Sequence, residues 1–143
     1  MSQIIKDTNL ITRCGATYRE KQVQSLGLSA YNARLIMEVC ATPGVSQDTI
    51  ARRVFVNKSM VARSMAALEE QGLVERPNDP KDKRVIRLYP TAKALELQHR
   101  IQEVWADCEM LLTDGFTEDE MAILEDLLSR MKNQARKLVE MER

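Results

Sequence analysis

The chain has 143 residues, 44% of them hydrophobic, with 21 basic and 21 acidic side chains and a formal net charge of zero. This size suits one domain, or one domain with a helical extension, and it has enough apolar material for a core. Nowhere is there the run of ~18 apolar residues that a membrane span needs. The first residues, MSQIIKDTNLITR, have neither the apolar core nor the small-residue cleavage site of a signal peptide. Cys14, Cys40 and Cys108 are an odd count at wide spacings, which is no disulfide framework and no zinc pattern. A reduced, cytoplasmic setting follows.

The zero balance hides a segregation. Residues 46–94 hold ten Lys/Arg against six Asp/Glu, residues 95–143 six against twelve, and residues 1–45 five against three. A basic middle beside an acidic remainder suits a polyanion partner when it coincides with a matching structural pattern.

In chain order, Ile4 to Ser25 reads as a helix, with Ile4, Ile11, Cys14 and Tyr18 recurring at spacings of seven, three and four. Gly27 interrupts it. Ser29 caps a second helix to about Cys40, with Leu35, Ile36, Val39 and Cys40 inward, and Pro43-Gly44 breaks it. Ser46 caps a short helix, Gln47 to about Val54, whose Asp48 suits the positive end of the dipole. Phe55-Val56 is a turn. Asn57 caps the next helix, which stops at Gly72. Leu73–Arg76 and Val85–Tyr89 read as paired strands, Ile86 and Leu88 sharing one face and Val85, Arg87 and Tyr89 the other. Pro77 and Pro80 shape the loop between them. Thr91 caps a long helix with the stripe Leu97, Ile101, Val104, Cys108, Leu111, ending at Gly115. Thr117 and Glu120 form a capping box for a last helix striped by Leu124, Leu128, Met131, Ala135 and Leu138.

Two short helices followed by a basic hairpin make a winged helix-turn-helix. The expected fold is therefore mainly α with a small β-hairpin: a winged lobe over 29–90 and long dimerisation helices at both ends, 1–28 and 91–143. Those long helices have more apolar face than a small winged core covers, so a second copy of the chain is the simplest partner for them.

On the helix from Lys58, Met65 and Leu68 fall within about 40° of Val61, and all three are core. The opposite face holds Ser59, Arg63, Ala66 and Glu70, flanked by Met60, Ala62 and Ala67. A face this thin sinks into a major groove ~12 Å wide, where Arg63 donates two hydrogen bonds to a guanine edge. Ser59 reaches a base or a phosphate, and Met60 meets a thymine methyl. Asn57 and Lys58 sit at the helix start, where phosphate docks. At the hairpin tip, Lys81, Lys83 and Arg84 face a groove whose negative potential attracts inserted arginine. Asp82, two residues before Arg84, would repel DNA unless it fixes the direction of that guanidinium by a charge-assisted bond. The alternatives are a solvated Arg63 and an ordinary charged loop.

These residues resemble the MarR family of bacterial winged-helix transcription regulators. The resemblance lies in Gly27-Leu28-Ser29, in Val45-Ser46-Gln47 with Ile50-Ala51, in Leu68 through Arg76 (LEEQGLVER), and in Asp79 through Arg84 (DPKDKR) followed by Thr91. The family implies a homodimer that places two reading helices in successive major grooves of a palindromic operator, most often as a repressor. It implies base contacts at Ser59, Met60 and Arg63, and phosphate contacts at Ser46, Gln47 and Lys58. Arg84 matches the wing arginine and Asp82 the acid that orients it. The chain departs from the family at Lys81 and Ala94, where arginine and glycine are frequent, and at Tyr89-Pro90, where leucine is commoner.

The resemblance also implies a small aromatic or phenolic ligand. Arg13, Tyr18, Tyr31, Met37, Trp105 and Met110 are the candidates to hold it, although Tyr18, Met37 and Trp105 read equally well as core packing. Some relatives sense peroxide through a cysteine in the first helix. Cys14 would serve if Arg13 and Arg19 stabilise its thiolate, and would be inert if buried on the apolar stripe. Cys40 and Cys108 read as core. Two other readings are a winged-helix protein-interaction module and an enzyme. The enzyme reading lacks a Gly-rich phosphate loop and a nucleophile–base pair, and His99, the one histidine, stands in no metal-ligand cluster. No cofactor is expected.

Overall fold

A computed structural model of the protein describes residues 2–140. The chain forms two compact units, Met1–Cys108 and Glu109–Arg143.

The first unit begins with α1 (Gln3–Val23), continued by a 3-10 turn at Gln24–Leu26 that ends on Gly27 at φ 74°. The apolar stripe of α1 is mostly left uncovered by its own chain, with Tyr18 half-buried. Ile4 and Ile11 are 60% and 52% exposed, and Cys14 is exposed; the residues of α1 that bury are Gly15 and Val23. Periodicity identifies the apolar face of a helix but not whether its own chain covers it. Where α1 does pack, small residues permit the approach: Cys108 Sγ lies 4.0 Å from the Gly15 carbonyl, and a Cβ at Gly15 would stand 2.9 Å from Arg19 Nη1.

α2 (Ala30–Ala41) starts at the Ser29 cap, whose Oγ accepts from the Asn32 amide at 3.0 Å, while Glu20 accepts from the Ala30 amide at 2.8 Å and ties α1 to it. Leu35, Ile36 and Val39 are buried; Cys40 is half-buried, and desolvation pushes its thiol pKa up. Next come β1 (Val45–Ser46), α3 (Gln47–Val54) and α4 (Lys58–Glu70). Ser46 and Asn57 cap these two helices, accepting from the Thr49 and Met60 amides at 3.1 and 2.8 Å. Val61, Met65 and Leu68 are fully buried, so the inward face of α4 is the expected one.

The strands differ from the sequence reading. The hairpin pairs β2 (Val74–Glu75) with β3 (Arg87–Pro90), Val74 opposite Pro90 and Glu75 opposite Tyr89. β1 is a third, unexpected strand on the other edge of β3, Val45 opposite Leu88 and Ser46 opposite Arg87, giving the antiparallel order β1-β3-β2. Val85 and Ile86 leave the ladder because the chain is already turning there: Val85 N–H donates back to the Asp82 carbonyl, and Ile86 forms an isolated bridge to Asn78 while its carbonyl accepts from the Gln47 N–H. Leu88 is buried and Ile86 half-buried on the same side, as the alternation requires.

α5 (Ala92–Leu112) starts at Thr91, whose hydroxyl donates to the Gly72 carbonyl at 2.7 Å and accepts from the Ala94 amide at 3.2 Å. Ile101 and Cys108 are buried and Leu97 and Val104 half-buried, but Leu111 is 63% exposed. In the second unit, α6 (Glu118–Glu140) opens with the expected capping box: Thr117 N–H donates to Glu120 Oε1 at 3.0 Å and Glu120 N–H to Thr117 Oγ1 at 3.1 Å. No residue of α6 is buried; Ile123, Leu127, Leu128, Met131 and Leu138 are all exposed. Among the described residues, no helix is long and apolar enough to cross a membrane.

Candidate nucleic-acid interface

The outer face of α4 carries Ser59, Met60, Arg63, Ala67 and Glu70, all exposed, with Ala62 and Ala66 half-buried at its margins. The three alanines keep this face low around Arg63. At its start, Asn57 and Lys58 are exposed, and Lys58 Nζ lies 3.4 Å from Asp48 on α3. That ion pair is open to water, so it leaves the lysine available to phosphate at little expense.

Ser46 and Gln47 lie half-buried at the start of α3 with structural work of their own. The Ser46 hydroxyl, besides capping, donates to Thr49 Oγ1 at 2.8 Å. The Gln47 side-chain oxygen accepts from Arg76 Nε at 2.9 Å, and Arg76 Nη1 lies 3.7 Å from Glu69. Arg76 therefore clamps the start of α3 to the end of α4. The sequence reading did not single it out, because a lone arginine after a strand carries no signal of where it points.

On the wing, Asp82 grips Arg84 with both oxygens: Arg84 Nε donates to Oδ1 at 3.1 Å and Nη2 to Oδ2 at 3.2 Å, and the Arg84 backbone N–H joins Oδ1 at 3.1 Å. Those bonds from Arg84 hold the Asp82 carboxyl below the usual carboxylate range. The Arg84 side chain stays 91% exposed, so it is oriented without being withdrawn. Lys81 and Lys83 are exposed beside it.

The base of the wing rests on a second pair that the sequence reading missed. Asp79 Oδ1 accepts from the Lys81 amide at 2.8 Å, while Oδ2 accepts from Arg87 Nε at 3.0 Å with Nη2 at 2.9 Å. Arg87 Nη1 also donates to the Gly44 carbonyl at 3.4 Å, joining the wing to the segment before β1. The Lys81 amide first, and then Arg87, hold the Asp79 carboxyl low. Asp-Pro in the sequence signals a turn; nothing local pairs it with an arginine eight residues on.

The residues suggested for a small ligand are less coherent. Tyr31, Met37 and Trp105 are half-buried against the core, Tyr18 is half-buried, and Arg13 is exposed. Met110 is 70% exposed and belongs to the second unit. The Tyr31 hydroxyl is buried without a hydrogen-bond partner among the described residues. Arg19, expected near Cys14, lies 5.4 Å over the Trp105 ring with Nη1 3.6 Å from Cys108 Sγ. Cys14 is exposed, not buried. His99 pairs with Glu103 at 2.9 Å, and among the described residues no group of three or more His, Cys, Asp or Glu could hold a metal ion.

A helix-turn-helix backed by a three-stranded sheet with a stiffened basic wing defines a winged-helix protein. The model of the MarR family matches residues 26–85. A crystal structure of the transcriptional regulator SlyA superposes with a TM-score of 0.94 at 26% identity, over 99% of this chain and 100% of that one. Over residues 26–85 the chain thus resembles the MarR family, and over nearly its whole length it shares the fold of the transcriptional regulator SlyA. It is 23% identical to YybA, an uncharacterised HTH-type transcriptional regulator of Bacillus subtilis (strain 168), over 92% of this chain and 88% of that one. A regulator from Listeria monocytogenes assigned to the same family, solved in complex with a 26mer DNA, shares the fold at a TM-score of 0.89 and 23% identity, over 94% of this chain and 89% of that one.

Proposed function

We propose that this chain is a sequence-specific DNA-binding repressor that reads a palindromic operator as a homodimer. The observation that carries the reading is the pairing of a low, exposed Arg63 face with an arginine, Arg84, that Asp82 holds outward. Arg63 reads a guanine edge in the major groove, with Ser59 and Met60 beside it. Ser46, Gln47, Asn57 and Lys58 position the lobe on phosphate. Arg84, flanked by Lys81 and Lys83, enters the neighbouring minor groove. The Listeria complex supports DNA as the partner.

Segment 29–90 is the reading lobe, and 1–28 with 91–143 is the dimerisation region. The exposed apolar residues of α1 and α6 support that division. A small aromatic or phenolic acid held among Arg13, Tyr18, Tyr31, Met37 and Trp105 would release the operator; the unpartnered Tyr31 hydroxyl favours a polar group there. A thiol-sensing variant of the same regulator draws on the exposure of Cys14. It predicts that peroxide lowers DNA affinity in the wild type and not in Cys14→Ser.

The test is binding to a duplex selected from a random library by the wild-type protein. Arg63→Ala should weaken affinity by ~1–3 kcal/mol and relax the preference at one base pair. Arg84→Ala should weaken it and lower the salt slope by about one ion. If both variants bind as the wild type does, the assigned face is wrong.

A further inference from the structure

Phe55 is the one non-glycine residue among those described with a positive φ, 56° with ψ 54°, at the end of α3. The turn between α3 and α4 uses this left-handed geometry. The Phe55 N–H donates to the Ala51 carbonyl, and the Val56 N–H donates to the same oxygen at 3.1 Å. Glycine adopts that conformation freely; a bulky residue there is an outlier. Burial does not offset the strain, because the side chain is 64% exposed. A large apolar ring thus sits in water on a backbone that suits glycine better, which is the pattern of strain retained for function.

Its place in the fold says what the ring meets. Phe55 lies two residues before Asn57, the cap of α4, so it flanks the end of the helix that carries Lys58, Ser59, Met60 and Arg63. Arg52, Arg53 and Lys58 surround it in sequence with positive charge. A protein partner for this turn would have to displace the DNA that the same helix end is set to meet.

We propose that Phe55 is a DNA-contact residue whose ring packs on deoxyribose and base edge where α4 meets the major groove. The inference rests on the DNA-binding reading of α4. It assigns to Phe55 a contact unlike those of Lys58 or Lys83: apolar, releasing no counterions, and therefore insensitive to salt. Phenyl groups make such contacts with thymine methyl groups.

The experiment compares Phe55→Gly and Phe55→Leu with the wild type on the library-selected duplex, by fluorescence anisotropy over a series of salt concentrations. Phe55→Gly should fold with a melting temperature at or above that of the wild type, since the turn loses its strain. Its DNA affinity should fall roughly tenfold, with the slope against salt unchanged. Phe55→Leu, which keeps apolar bulk, should retain most of the affinity. A Phe55→Gly affinity within about twofold of the wild type, while Arg63→Ala binds weakly, overturns the Phe55 contact and leaves the DNA reading standing. Selection that enriches no duplex, or wild-type binding that is flat in salt, overturns both.

Discussion

The winged lobe and the last helix obey the same helical spacing and end in opposite states. In the helices of the lobe, Leu35, Ile36, Ile50, Val61, Met65 and Leu68 are all fully buried. α6 repeats apolar residues at the same intervals and buries none of them. An apolar stripe thus specifies a helix and its sticky side, while its occupant is decided by what the rest of the chain, or another chain, brings to it. The lobe satisfies its stripes internally and can present polar chemistry outward. α6 is legible as a helix and unfinished as a surface.

The largest effect that would sharpen this contrast lies in the lobe core. Leu68→Ala should destabilise the protein by about 2–5 kcal/mol, measured by urea denaturation. A core defect acts within one chain, so the loss should not depend on protein concentration. Polar substitution of Leu128 and Met131 together should act otherwise: the helix persists, but the assembly mass by light scattering falls, and with it the concentration dependence of the melting temperature. If the wild type is a monomer at every concentration, the exposed stripe has no second copy to cover it and the proposed dimer is wrong.

A smaller effect belongs to the wing. Asp82→Asn should leave the melting temperature unchanged, because the pair is exposed, and should weaken DNA binding roughly twofold to fivefold. The loss arises because an asparagine cannot accept both guanidinium bonds. An Asp82→Asn protein that binds as tightly as the wild type would mean that Arg84 needs no guide.

Much of the lobe was legible from sequence because its signals are local. Ser29, Ser46, Asn57 and Thr91 each cap the helix expected of them, and Val61, Met65 and Leu68 are the expected inward face. Asp82 and Arg84 stand two residues apart, so their pairing could be guessed. What escaped was nonlocal. β1 is two residues long and exists only because β3 has a free edge beside it. Arg76 with Gln47, 29 residues apart, and Arg87 with Asp79, eight apart across the wing, pair through directions that only the folded backbone fixes. On α1 the spacing of Ile4, Ile11 and Cys14 marks a helical face, but spacing alone does not say what covers it, and this chain leaves all three exposed.

The smallest expected effects concern acid, and they separate the two regions once more. Asp79 on the wing and Glu120 at the start of α6 both have carboxyls held below their ordinary values, the first chiefly by the Lys81 amide and then Arg87, the second by the backbone and hydroxyl of Thr117. A depressed folded pKa means the carboxylate is favoured by folding. Its contribution is present above the ordinary carboxylate pKa and is lost as pH falls through the folded value. Neither contribution should therefore change between pH 5 and 8, roughly the span clear of carboxylate titration. Below it the two part company. Glutamine can keep both bonds of a capping box, so Glu120→Gln should preserve amide protection at Thr117 while flattening its acid dependence. Asparagine at position 79 keeps the bond from the Lys81 amide but turns a donor or loses charge toward Arg87, so Asp79→Asn should loosen the wing at neutral pH as acid does in the wild type. Hydrogen exchange at the Lys81 and Arg87 amides reads this directly. Equal protection in Asp79→Asn and wild type at neutral pH would show that the Lys81 bond alone holds the turn, and Arg87 would then be a passenger on the wing.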